Sequence, residues 1–323
     1  MGRVVGVDTS DRNPDALLDG RDPIGRQVSV EGTVLYVEEQ GSGAAVLLIG
    51  AADEDAEFYR GIADRLSSGC RVVTYDRRGT RRSGREGWPS ASARHADDAA
   101  DLITSLGLEG VTVLGASAGG VVALRLALCH PDLVRSVLCF EPGIFRLTDE
   151  GRKLEDQGAS AVEQHLDSHP GDWVGAVDAL GRAAASSLAD VSSLFSPPIG
   201  REWFSQRADE NAEAFIRGDL PITREHFDRK AVADCQANLR FAYGGSSHPV
   251  FHGIAAELAA SRSQAPDRLD GMGHGLFHHP EATVSYILGW LQQHHCKRVS
   301  ATCDRAANRL CSPAHSTRNG MPS

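Results

Sequence analysis

Apolar positions along the chain fall into two regimes. In the first, short continuous apolar runs recur at Ala44–Ile49, Arg71–Tyr75, Val111–Leu114 and Val134–Phe140. Runs of this kind are typical of strands covered on both faces. Between them, Glu57–Leu66, Arg94–Leu106 and Val121–Leu128 carry their apolar residues at helical spacing. Ahead of them, two alternating runs, Gln27–Val30 and Val34–Glu38, meet at a turn containing Glu31-Gly32, which predicts a hairpin. Strands alternating with helices predict a mostly parallel central sheet flanked by helices.

The second regime begins at Pro142. From Gly143 to about Cys235 the pattern is helical, with turns at His169-Pro170-Gly171, Ser196-Pro197-Pro198 and Asp219-Leu220-Pro221. The sheet pattern returns at Leu239–Tyr243. A helix (Phe251–Ala260), a short strand (Asp267–Leu269) and a last helix (Glu281–Gln293) follow. The organisation expected is an α/β core of residues 21–142 and 236–295, with a helical lid inserted at 143–235. Residues 1–20 read as a flexible arm, and the basic, polar stretch 296–323 as a disordered tail.

The chain has 323 residues with a formal net charge of -10. That acidity disfavours a nucleic-acid partner. No signal-peptide pattern opens the chain and no apolar stretch reads as a membrane span, so a cytoplasmic protein without membrane partners is expected. A homo-oligomer is compatible with the composition. Of seven cysteines, Cys70, Cys129, Cys139 and Cys235 lie singly in the main body and read as free thiols. Cys296, Cys303 and Cys311, near His315, match no zinc spacing.

The chemistry begins at Gly115-Ala116-Ser117-Ala118-Gly119-Gly120, a G-x-S-x-G sequence set after an apolar run and before an apolar helix. A strand turning sharply into a helix holds the serine in a strained conformation at the sheet end. The positive helix terminus and the Ala118 N–H then face any oxyanion formed there. A serine hydroxyl needs a base. His274, in Gly271-Met272-Gly273-His274-Gly275, follows the last short strand and is the candidate. His278 and His279 compete with it.

The order of these features resembles the α/β-hydrolase superfamily over about residues 25–295. Its bacterial esterase-like members carry a segment like Tyr75-Asp76-Arg77-Arg78-Gly79-Thr80-Arg81-Arg82-Ser83. Within the resemblance Asp76, Arg77 and Arg78 are structural. The resemblance also implies a second oxyanion donor after the third strand. Many members have His-Gly there. This chain has Ile49-Gly50-Ala51, which makes Ala51 N–H the donor. The triad acid usually follows the strand after the lid, but here that strand leads into Gly244-Gly245-Ser246-Ser247-His248, with no carboxylate. Some members carry the acid one strand earlier, where this chain has Glu141. Glu141 as acid, Glu141 as a purely structural carboxylate, and a Ser–His dyad with Ser246 or water all remain open.

The resulting expectation is a serine hydrolase of esterase or lactonase type, acting on a small to medium apolar molecule without metal or organic cofactor. The alternatives are another reaction on the same fold (C–C hydrolase, cofactor-free lyase or cyclase, perhydrolase) or a catalytically silent binding scaffold.

Overall fold

The computed structural model describes residues 25–187 and 201–293. Two compact units divide the chain, 1–283 and 284–323; of the second, residues 284–293 are described, and they are helical. The expected N-terminal arm, the Ser196-Pro197-Pro198 turn and the expected tail with Cys296, Cys303, Cys311 and His315 lie outside the described residues.

Eight strands form one sheet in the order β1-β2-β4-β3-β5-β6-β7-β8. β1 (Gly25–Val30) and β2 (Thr33–Gln40) make the antiparallel hairpin, and β2 also runs antiparallel to β4 (Cys70–Tyr75). Every pairing from β4 through β3 (Ala44–Ile49), β5 (Val111–Ala116), β6 (Val134–Phe140), β7 (Asn238–Gly244) and β8 (Asp267–Leu269) is parallel. Burial follows position. All six residues of central β5 are buried, whereas the edge strand β1 alternates buried with exposed. A strand covered by helices on both faces has to be apolar throughout, which is why the sequence shows runs there and alternation only at the edge.

The helices of the core are α1 (Arg60–Leu66), α2 (Ser92–Leu106) and α3 (Ala118–Cys129). The spacing at Glu57–Leu66 predicted one helix. The structure instead opens it with a 3₁₀ turn, Ala56–Tyr59, because the Asp55 carboxylate accepts the Glu57 N–H and caps that turn. α2 ends on Gly107 in the left-handed conformation (φ 61°). Between β6 and β7 lie α4 (Asp149–Ser168), α5 (Trp173–Ser187), α6 (Arg201–Ala214) and α7 (Arg229–Asp234). A five-residue π turn, Phe215–Asp219, follows α6. Val162, Ala176 and Ile216 form a small separate cluster with Trp173, Val177 and Leu180 packed on it. These side chains therefore fill the insertion's own core. α8 (Pro249–Ser261) returns the chain to the sheet.

Cys70 and Cys139 are buried free thiols, Cys235 is half-buried, and Cys129 is exposed. Among the described residues no helix is long and apolar enough to cross a membrane.

Candidate active site

Every element that carries the candidate residues ends at one edge of the parallel sheet, as ligand and reaction sites of open α/β sheets do. β5 passes into α3 at Ser117, which has φ 48° and ψ −116°. That conformation is costly for a residue with a Cβ and needs surroundings that hold it. Three backbone bonds do so. The Ser117 N–H donates to Phe140 O at 3.0 Å, and its carbonyl accepts from Val121 at 3.2 Å and Gly143 at 3.0 Å. The glycine at 119 is required by close approach. A Cβ there would lie 2.3 Å from the carbonyl oxygens of both Gly50 and Ile49, so only glycine lets the helix start sit against the end of β3. Ser117 is 9% exposed and makes no capping hydrogen bond. Ala118 is the first residue of α3, so its N–H is one of the donors that the helix itself leaves without a partner.

One strand over, Glu141 repeats the device. It is fully buried and also has a positive φ, 45°. Its N–H donates to Ala242 O at 2.9 Å, extending the β6–β7 ladder by one residue. The carboxylate then reaches across the end of β7. Oε1 accepts the Gly244 N–H at 2.7 Å, and Oε2 lies 2.6 Å from His274 Nδ1. Of the positions left open by the sequence, the Nδ1 partner is thus Glu141; Ser246 contributes a backbone N–H to Met272 O at 2.9 Å. β7 ends on Gly244, which lies close against the loop after β8. A Cβ at Gly244 would stand 2.4 Å from Met272 O.

His274 sits on the loop after β8, its ring stacked on Phe251 with centroids 4.3 Å apart and planes 18° from parallel. Carboxylate and aromatic face together fix the ring and turn Nε2 away from Glu141. No hydrogen bond joins His274 to Ser117 among the described contacts; such bonds commonly tighten only around substrate. His279 braces this loop, its Nε2 accepting the Gly273 N–H at 3.2 Å. Burial lowers the pKa of His279, and lowers that of His278 to about 4. Neither ring takes the place of His274 on Glu141.

The loop after β3 holds what the sequence reading missed. The Ala51 N–H is engaged: Glu54 Oε2 accepts it at 2.8 Å and also accepts the Tyr59 hydroxyl at 2.5 Å. Glu54 is 8% exposed. Burial raises its pKa, while the Tyr59 and Ala51 hydrogen bonds and the charges of His274 and Arg77 act against that rise. The insertion ties this loop down. The Asp219 carboxylate accepts the Asp53 N–H at 3.1 Å and pairs with Arg77, whose other Nη donates to Ala51 O at 2.9 Å. Asn211 Nδ2 donates to Asp53 O at 2.7 Å. Asp76, fully buried, accepts the Ala56 N–H at 2.9 Å and two bonds from the Arg82 guanidinium, while Arg78 pairs with Asp98. Asp76, Arg77 and Arg78 thus hold loops in place. The visible signal was the acidic run Asp53-Glu54-Asp55 directly behind an apolar strand, an expensive place for three carboxylates.

Comparison with known proteins agrees with this architecture. Residues 45–192 match the family model described as alpha/beta hydrolase fold. The chain is 35% identical over 186 residues to the "Putative carbamate hydrolase RutD" of Caulobacter sp. (strain K31), a match covering 53% of this chain and 69% of that protein. It is 33% identical over 124 residues to the "Uncharacterized hydrolase YraK" of Bacillus subtilis (strain 168), covering 37% of this chain and 45%, about half, of the relative's length. Among solved structures, a thermophilic esterase from Thermogutta terrifontis superposes with a TM-score of 0.66 at 18% identity, covering 83% of this chain and 98% of that one. That last likeness is one of fold.

Proposed function

The chain belongs to the α/β-hydrolase fold family, and from that premise we propose that it is a serine hydrolase cleaving a carboxylic ester or lactone through an acyl-enzyme on Ser117. The supporting observation is the Glu141 carboxylate at 2.6 Å from His274 Nδ1, on the same sheet edge as a serine held at positive φ. The Ser117 hydroxyl attacks the acyl carbon while His274 Nε2 takes its proton. The Ala118 N–H, and the Ala51 N–H once released from Glu54, hold the oxyanion. His274⁺, stabilised by Glu141, returns the proton to the leaving alkoxide, and water repeats the sequence to free the acid. A lactone follows the same steps with its alcohol still attached. No step calls for a metal or organic cofactor. The helices of 143–235 act as a lid that shields a small to medium apolar acyl group from water. A carbamate carbonyl would use the same groups, and the relative matched over 69% of its length carries that name.

Fluorophosphonate labelling read by intact mass tests the proposal. One adduct on the wild type, absent from Ser117→Ala and much slower to form in His274→Ala, is expected. An unlabelled wild type with native circular dichroism overturns the activated serine and leaves the silent scaffold.

A further inference from the structure

The Glu54 carboxylate occupies the position on Ala51 N–H that a substrate's carbonyl oxygen needs. Three observations set it there. Its Oε2 is 2.8 Å from the Ala51 nitrogen, a normal charge-assisted bond. Tyr59, buried, presses on the same oxygen with its hydroxyl at 2.5 Å. The carbonyl of Ala51, in the next peptide unit, accepts from Arg77 Nη2 at 2.9 Å and from the Glu54 N–H at 3.3 Å, which ties down the loop beside that donor. A carboxylate on an oxyanion donor mimics the oxyanion and excludes it.

Resting on the serine-hydrolase reading above, we infer that Glu54 is a built-in cap on the oxyanion hole, and that it makes the enzyme selective for acyl groups bearing a hydroxyl or amine beside the carbonyl. The chemistry is an exchange of partners. To admit a carbonyl oxygen, Glu54 gives up the Ala51 N–H and keeps only Tyr59. A buried carboxylate that loses a donor without replacement is strongly disfavoured. A 2-hydroxy or 2-amino acyl group brings a replacement donor to the carboxylate at the moment its carbonyl takes the N–H. A plain alkanoyl group brings none.

The test compares ethyl lactate with ethyl propionate, which differ by one hydroxyl. For the wild type kcat/KM for lactate is expected to exceed that for propionate by about tenfold. In Glu54→Ala the ratio falls to about one, chiefly because propionate turnover rises about tenfold, whereas Glu54→Gln, whose amide oxygen keeps the Ala51 N–H, retains more of it. Tyr59→Phe, which leaves the cap in place with a weaker hold, gives an intermediate ratio. Because the readout is a ratio within one protein, a general loss of stability does not imitate it. A ratio unchanged in Glu54→Ala, with fluorophosphonate labelling of Ser117 intact, overturns the cap while leaving the hydrolase reading in place. Collapse of turnover for both esters in Glu54→Gln, with labelling intact, also overturns it, because Glu54 would then be working for the reaction. Absence of labelling in the wild type sinks the underlying reading instead.

Discussion

Replacing Glu141 by Gln exchanges one oxygen for an NH₂ group at the centre of the site and changes almost nothing in volume. The carboxylate accepts from Gly244 N–H through Oε1 and faces His274 Nδ1 through Oε2. An amide supplies only one acceptor. The backbone N–H of Gly244 cannot turn into an acceptor, so the amide oxygen stays on it and the amide NH₂ faces Nδ1. The imidazole must then accept at Nδ1, which moves its own proton to Nε2, the nitrogen that receives the Ser117 proton in the proposed reaction. The wrong tautomer is present and no negative charge offsets the imidazolium. In serine hydrolases an amide at this position lowers kcat by about 10⁴. With the Ser117 elbow untouched, a fall of 10²–10⁴ in kcat is expected here, or about 3–5 kcal/mol of barrier. KM should move little, because Glu141 is fully buried beneath His274. Stability should fall by only about 1–2 kcal/mol, since both contacts remain hydrogen bonds. The assay is p-nitrophenyl acetate hydrolysis with burst kinetics, alongside urea unfolding of the same preparations. A kcat within threefold of wild type, with labelling of Ser117 unchanged, would refute the reasoning and reduce Glu141 to a structural carboxylate.

Other outcomes follow from the same structure. Gly119→Ala drives a methyl group to 2.3 Å from two carbonyl oxygens and should cost about 2–3 kcal/mol, seen as a thermal midpoint lower by about 5 °C; an unchanged midpoint would mean the β3–α3 contact is looser than described. Asp219→Ala strands the buried Arg77 guanidinium and should destabilise by about 3–5 kcal/mol in urea, with most of that recovered when Arg77→Met is added; no recovery in the double variant would refute the pairing as the cause. His95 is buried, and burial, aided by Arg77 and Arg78, lowers its pKa to about 3. The unfolded chain takes up a proton on this ring near pH 6.5 and the fold does not, so its contribution is present above pH 6.5 and is lost as pH falls below it. Measured against the non-titrating His95→Gln variant, wild-type stability should drop by about 2 kcal/mol between pH 7.5 and pH 5; a constant difference between the two would show that His95 charges inside the fold.

The insertion shows how far a sequence reading reaches. Its helices are legible because each carries its own spacing and turns. That Asp219 and Asn211 on it pin the loop carrying Ala51 is not legible, because the partners lie 166 and 158 residues apart. A polar residue in a π turn and another on a helix look like ordinary surface in one dimension. The helix expected from Glu57 began as a 3₁₀ turn for a similar reason, since the choice rested on the Asp55 cap rather than on apolar spacing.

By itself the sequence determined the parallel sheet and the turn at Ser117, because both are written in short-range terms, apolar runs and glycines at a forced turn; His274 was one of three candidate histidines, and Glu141 one of three readings of the acid that the resemblance left open. Only the tertiary structure decided what those residues touch. Glu141 and His274 are 133 residues apart and meet because β6, β7 and β8 are adjacent and parallel, which brings their ends to one edge. Ala51 and Glu54 are three residues apart, yet their contact was equally invisible. Where a side chain in a loop points depends on what surrounds it, and here Tyr59 and Arg77, brought in by the helix start and strand end that pack on the loop, decide it.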